Sequence, residues 1–218
     1  MPQAGLASRL FGRVAAGGGF LPLQRLAETF DALRQSILDQ IPDRPLHELD
    51  LTGTAQWSSF KRQPGTNDFD DEPGRDGIYV GTSARFDVTQ GAIASAFSGQ
   101  RFSRFGETFC YLKLDWSAVE RGKVIDWRGA FENALEPALR SEKLGCIFGT
   151  AGSERYMYID LSLTDVDRSI ALIRDTLRPL LAPKRTWLLF FEREYEREWM
   201  GIWDDTPPPP ARNDGSVG

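Results

Sequence analysis

Apolar residues first recur at intervals of three and four between Leu23 and Ile41. This interval places them on one face of an α-helix. Three glycines at 17–19 precede the pattern, and Pro42 ends it. The pattern predicts an amphipathic helix whose apolar stripe docks on the core of the chain. The alternative, a two-heptad seam for a partner helix, is short for a coiled coil.

The pattern becomes irregular between residues 42 and 104, where prolines and glycines interrupt most apolar runs. One strand-like run remains, at 77–86. Long connecting segments generally lie on the surface of a domain. We therefore expect residues 42–104 to form irregular structure wrapped over a better-formed domain.

Alternation of apolar and polar residues becomes clear from residue 105 onward. A period of two residues is typical of β-strands. Strands are predicted at 109–116, 146–148, 156–163 and 184–194. Residues 149–153, which contain two glycines, should form the turn between the second and third strands.

Helical spacing fills two of the gaps between these strands, at 126–141 and from Val166 to Leu180. Pro137 lies inside the first helix and should kink or split it, because proline lacks a backbone N–H. Thr164 and Asp167 are three residues apart and resemble an acidic capping box for the second helix. The predicted order of elements is βαββαβ.

This order predicts an α+β protein with a C-terminal ferredoxin-like, or split βαβ, antiparallel sheet and two helices on one face. Apolar residues within 192–205 indicate a further strand or turn. The fold hosts many unrelated functions, so topology does not select one. The predicted divisions are a flexible N-terminus (1–20), an N-terminal helix with an irregular wrapping segment (21–104), the ferredoxin-like domain (105–205) and a Pro-rich disordered tail (206–218).

Composition narrows the class of protein. Hydrophobic residues make up 41% and charged residues 26% of the chain, which is typical of a globular domain. The formal net charge of −5 disfavours nucleic acid as a partner. No run approaches the roughly 20 apolar residues that span a bilayer, and glycines interrupt the only candidate secretion signal. We expect a cytoplasmic protein with no membrane partner.

Cysteine and histidine are scarce. Cys110 and Cys146 lie in apolar runs without metal-binding spacing, so we expect two reduced, buried thiols. His47 is the only histidine, and its surroundings do not resemble a nucleophile motif, which favours a loop or packing role. One histidine and two separated cysteines cannot form a structural zinc site.

Two further motifs resemble ligand sites only in part. Gly149 to Ser153 could turn backbone amides toward an anion, but it lacks the Lys-Ser/Thr of a P-loop and precedes a strand. The acidic segment 68–76 resembles a cation loop, but Pro73 and the position of Gly74 do not fit one. We therefore predict no catalytic residue, no metal site and no cofactor.

The two strands predicted at the centre carry a second, mixed face. Alternation directs Cys110, Leu112, Leu114, Met157, Ile159 and Leu161 toward the helices. The opposite face is the candidate binding site. Its members are Phe109, Tyr111, Lys113, Asp115, Tyr156, Tyr158 and Asp160, with Arg155 beside them.

Two interpretations of this face are open. The first hundred residues of the chain cover it, or it is a protein interface, since interfaces favour aromatic residues mixed with a few charges. Aromatic platforms on sheets also stack RNA bases, but acidic residues flank these aromatics and the RNP1 pattern is missing.

The sequence therefore favours a non-catalytic, acidic protein-binding module, such as an inhibitor or immunity-type protein that masks a basic partner. One alternative is an enzyme that acts on a phosphorylated or nucleotide substrate through Asp115, Asp160 and Arg155. Another is an oligomeric small-molecule sensor. The sequence does not define the identity of the partner or the oligomeric state.

Overall fold

A computed structural model of the chain describes residues 23–39, 41–51, 58–61, 78, 80–93 and 97–210. The chain divides into two compact units, residues 1–41 and 42–218. Helix α1, Leu23–Leu38, belongs to the first unit and confirms the helix predicted there. The predicted flexible N-terminus, the acidic segment 68–76 and the tail beyond residue 210 lie outside the described residues.

The second unit is built on a seven-stranded antiparallel sheet. Across the sheet the strands lie in the order β1-β2-β4-β5-β3-β6-β7. This confirms a mixed α+β protein with an antiparallel sheet. The strands are β1 Ser58–Lys61, β2 Val80–Ser83, β3 Thr108–Asp115, β4 Gly145–Gly152, β5 Tyr156–Leu163, β6 Thr186–Phe190 and β7 Trp199–Gly201.

Within its described residues the second unit has three α-helices: α2 Phe86–Ile93, α3 Val124–Ser141 and α4 Val166–Leu177. The predicted split at Pro137 is wrong, because α3 runs through it without interruption. Leu135 and Leu139 flank the proline and are fully buried in the core, so packing outweighs the lost hydrogen bond. None of the helices within the described ranges is long and apolar enough to cross a membrane.

The cap of α4 differs from the prediction by one residue. Asp165, rather than Thr164, is the N-cap, and its side chain accepts a hydrogen bond from Arg168 N at 3.0 Å. The Thr164 hydroxyl donates instead to the carbonyl of Lys143 at 2.9 Å. Thr164 thus joins the helix entry to the loop before β4.

The turn predicted at 149–153 is also misplaced. Strand β4 continues to Gly152, and the hairpin turn follows at 153–155. A β-bulge between Ile147 and Gly149 shifts the register. Close packing explains the glycine at position 149, since a Cβ atom there would lie 2.9 Å from Asp160 Oδ2.

The helix-facing side of the sheet forms the main core, as predicted. The side chains of Cys110, Leu112 and Leu114 on β3 are fully buried there. On β5, Ile159 and Leu161 join the same cluster, together with apolar residues of α3 and α4. Met157 packs beside them with Trp116 and Val124.

Residues 42–104 are more ordered than we expected. They supply β1, β2 and α2, and β2 extends the sheet by pairing with β4. Leu46, Leu51, Val88 and Phe97 pack against Phe109 of β3 in a second buried cluster. The irregular pattern reflects short elements whose residues face the core only intermittently.

Glu107 ties this segment to the sheet. It is 5% exposed, and its Oε1 accepts hydrogen bonds from Leu46 N at 2.8 Å and Ser162 Oγ at 2.9 Å. Its Oε2 accepts a third from Ser103 Oγ at 2.6 Å. One buried carboxyl group therefore joins three segments that are distant in the chain.

The C-terminal region contains β7, which confirms the further strand predicted within 192–205. The indole Nε1 of Trp187 donates to the carbonyl of Pro207 at 2.6 Å. The beginning of the proline run is therefore held against β6.

Candidate functional site

The predicted site residues share the face of the sheet opposite α3 and α4. The register pairs Tyr111 with Asp160, Lys113 with Tyr158 and Asp115 with Tyr156. Phe109 follows on the same face of β3, and Arg155 directly precedes β5. Strand alternation thus brings the predicted residues together.

This face is buried in the chain. Lys113, Tyr156 and Tyr158 are 0% exposed, and Asp160 is 1% exposed. Ile78 packs in one buried cluster with Tyr111, Tyr156 and Tyr158. Earlier residues of the chain therefore contribute to the cover over the face.

Two arginines converge on one carboxylate at the edge of the buried face. Asp115 Oδ2 accepts hydrogen bonds from Arg155 Nε at 3.1 Å and from Arg185 Nε at 2.9 Å. Arg185 Nη2 also donates to the hydroxyl of Tyr156 at 2.8 Å. The Asp115 side chain is 5% exposed, whereas those of Arg155 and Arg185 are 29% and 30% exposed.

The strand ends place these groups. Asp115 is the last residue of β3, and its backbone N–H donates to the carbonyl of Arg185 at 3.0 Å. Its Oδ1 accepts a hydrogen bond from Ser117 N at 3.0 Å, which fixes the turn that follows. The hairpin between β4 and β5 carries Arg155 to the same end of the sheet.

The environment of Asp115 favours its ionised form. Burial by itself raises the pKa of this carboxyl group. Hydrogen bonds from Ser117 and the nearby charge of Arg155 act in the opposite direction and outweigh burial. The net result is a pKa below the ordinary value for aspartate.

A lysine among aromatic rings forms the middle of the face. Lys113 Nζ lies 4.1 Å from the centroid of the Tyr156 ring and 6.0 Å from that of Tyr158. Both distances are compatible with cation–π attraction. Trp187 lies opposite Lys113 on β6 and is fully buried. We call Lys113, Asp115, Arg155, Tyr156 and Arg185 the polar cluster.

Sequence reasoning missed Arg185 and Trp187. The available signal was the position of Arg185, directly before the apolar strand β6. In the sheet, β6 pairs with β3, and β3 ends in Asp115. This pairing becomes apparent only once the strand order is known. Glu107 was missed as well, although strand alternation places it on the same face as Phe109.

Other candidate groups have structural roles. Both cysteines are free and buried, and burial raises the pKa of each thiol above its ordinary value, which disfavours a reactive thiolate. The His47 side chain is 8% exposed, and its backbone carbonyl accepts a hydrogen bond from Arg140. Within the described part of the chain, no group of three or more His, Cys, Asp or Glu side chains could hold a metal ion.

No protein-family model, curated protein or solved structure matches this chain.

Proposed function

We propose that the chain acts on a phosphorylated or nucleotide substrate at the polar cluster. The main support for this function is that Arg155 and Arg185 both donate hydrogen bonds to buried Asp115, close to fully buried Lys113. Burying the charges of Lys113 and Asp115 costs several kcal/mol for each ion. Apolar residues of equal volume would avoid that cost. Clusters of this kind are concentrated at functional sites.

The chemistry of the cluster favours this class of ligand. Guanidinium groups match the geometry of phosphate oxygens and bind them through paired hydrogen bonds. Arg155 and Arg185 keep about 30% of their side chains exposed, so a ligand reaches them from solvent. The rings of Tyr156 and Trp187 lie edge to face, 6.2 Å apart, and are fully buried, so they support Arg185 from beneath rather than contact the ligand.

The test compares ligands that differ only in phosphate. We expect ADP to bind the full chain at least about tenfold more tightly than adenosine in calorimetry, because phosphate adds charge-assisted hydrogen bonds. Arg185→Gln should remove most of this difference.

Arg168→Gln is the matched control, since Arg168 is an exposed arginine on α4. It should bind ADP as the unmodified chain does. Thermal melting of each variant identifies loss of fold. Equal affinity for ADP and adenosine, or binding of neither, would contradict the proposal.

A second candidate is the acidic protein-binding module favoured by the sequence, of the inhibitor or immunity type. It is supported at the β7 edge, where Tyr195 is 48% and Trp199 is 37% exposed beside exposed Glu194 and Glu198. Tyrosine and tryptophan dominate binding energy at interfaces, and three glutamates against two arginines in residues 193–198 leave a small negative charge that favours a basic partner.

This edge gives the second candidate its own test. Trp199→Ala should weaken a basic protein partner at least about tenfold, measured by surface plasmon resonance. A partner that is insensitive to both Trp199→Ala and Tyr195→Ala binds elsewhere, and the edge then has no role in recognition.

The central strands lie in the order β6-β3-β5-β4, with α3 after β3 and α4 after β5, which supports a ferredoxin-like arrangement. Strands β1, β2 and β7 extend the sheet beyond it. A cytoplasmic location suits either function, and the low thiol reactivity expected of both cysteines fits a reducing compartment.

A further inference from the structure

A groove lies on the helix-facing side of the sheet, opposite the face that carries the polar cluster. Residues of β2, β4 and β5 and of the start of α3 line a cavity of about 440 Å³. Small-molecule sites generally measure roughly 300–1,000 Å³. The residues that would contact a ligand are Trp116, Val124 and Met157 on the apolar side of the groove. On the polar side they are Arg128, Thr82 and Thr150.

Small side chains on the strands leave this space. The register pairs Thr82 with Thr150, and their hydroxyl oxygens lie 3.2 Å apart. Gly152 follows on β4, where a Cβ atom would lie 3.0 Å from Met157 Sδ. The floor of the groove therefore combines two hydroxyl groups with a bare stretch of backbone.

The opposite wall is apolar and held in place. Trp116 is 7% exposed, and its indole Nε1 donates to the carbonyl of Ser153 at 3.2 Å. It packs with Val124 and Met157, which are also buried. A fixed indole ring beside a thioether favours contact with a flat aromatic body.

Arg128 supplies the charge inside the groove. Arg121 and Glu154 also line it, but Arg121 Nη2 donates to Glu154 Oε2 at 3.0 Å, so this pair adds no net charge. The Arg128 side chain is 24% exposed, and its Nε lies 2.7 Å from Glu132 Oε1. This charge pair lacks hydrogen-bond geometry, and neither atom has a hydrogen-bond partner within the described residues. Burial raises the pKa of Glu132, and the positive charge of Arg128 offsets this in part.

We infer that this groove binds a small aromatic carboxylate. The aromatic ring lies against Trp116 and Met157, and the carboxylate pairs with the guanidinium of Arg128. A carboxylate suits this position because arginine binds it through two parallel hydrogen bonds. This site is independent of the polar cluster, which lies across the sheet.

Two probes separate the charge from the ring: 2-naphthoate and its uncharged analogue 2-naphthalenemethanol. Calorimetry with the full chain should show the acid binding at least about tenfold more tightly than the alcohol. Arg128→Met keeps an unbranched apolar stem in place of the arginine methylenes and removes the guanidinium. This variant should bind the acid only as tightly as the alcohol, and its affinity for the alcohol should equal that of the unmodified chain.

Two further variants keep the test decisive. Arg168→Met removes an exposed arginine outside the groove and should bind both probes normally. If Arg128→Met unfolds because Glu132 loses its partner, Arg128→Met with Glu132→Gln removes both charges. Equal binding of acid and alcohol to the unmodified chain, binding of neither, or full acid affinity without Arg128 would each overturn the inference.

Discussion

Replacing Glu107 with alanine is expected to lower the free energy of unfolding by about 4 kcal/mol. The carboxyl group accepts three hydrogen bonds and is 5% exposed. Its removal leaves the backbone N–H of Leu46 buried without its acceptor, whereas the serine hydroxyls can rotate toward others. Urea unfolding followed by circular dichroism measures the change.

Two variants make this result interpretable. Glu107→Gln keeps one acceptor oxygen and should lose about half as much stability as the alanine variant. Glu142→Ala removes an exposed glutamate next to α3 and should change stability by less than about 0.5 kcal/mol. Glu107→Ala unfolding like Glu142→Ala would mean that the three hydrogen bonds of Glu107, including the one to Leu46 N, do not stabilise the fold.

The strands of the central sheet could be predicted because alternation is a local property of the sequence. In β3 and β5 every second residue is aliphatic and faces the helices, so the period alone assigned both faces. Strand β4 was harder, because Gly149 and Gly152 indicate a turn when they are considered alone. In the structure these glycines lie within the strand, because the side chain of Asp160 approaches Gly149 and that of Met157 approaches Gly152 too closely for a Cβ atom.

The extent of the sheet could not be predicted, and cover over the polar face was only one of two interpretations that the sequence left open. Both the extent and the cover depend on residues 42–104, whose short elements form only through contacts distant in the chain, such as that of Leu46 with Glu107. The polar cluster was foreseen in part. Asp115 and Arg155 were identified, but Arg185 joins them only through the pairing of β3 with β6.

Tyr111→Ala and Tyr158→Ala should each lower the free energy of unfolding by about 3 to 5 kcal/mol. Tyr158 is 0% and Tyr111 is 5% exposed, so each truncation leaves a cavity in the second unit. Their ring centroids are 6.1 Å apart, and Tyr111 also stacks on Phe191 at 5.2 Å. Urea unfolding of the single and double variants gives the coupling between the rings, which we expect to be about 1 kcal/mol.

Tyr195→Ala is the matched control, because the Tyr195 ring is 48% exposed and its loss leaves little buried surface empty. It should change stability by less than about 1 kcal/mol. The comparison decides how this face is used. Large losses at Tyr111 and Tyr158 mean that the face is internal, and that a protein partner must bind elsewhere. If both variants unfold like Tyr195→Ala, the face is open in solution, and the interface predicted from the sequence becomes the better explanation of its aromatic residues.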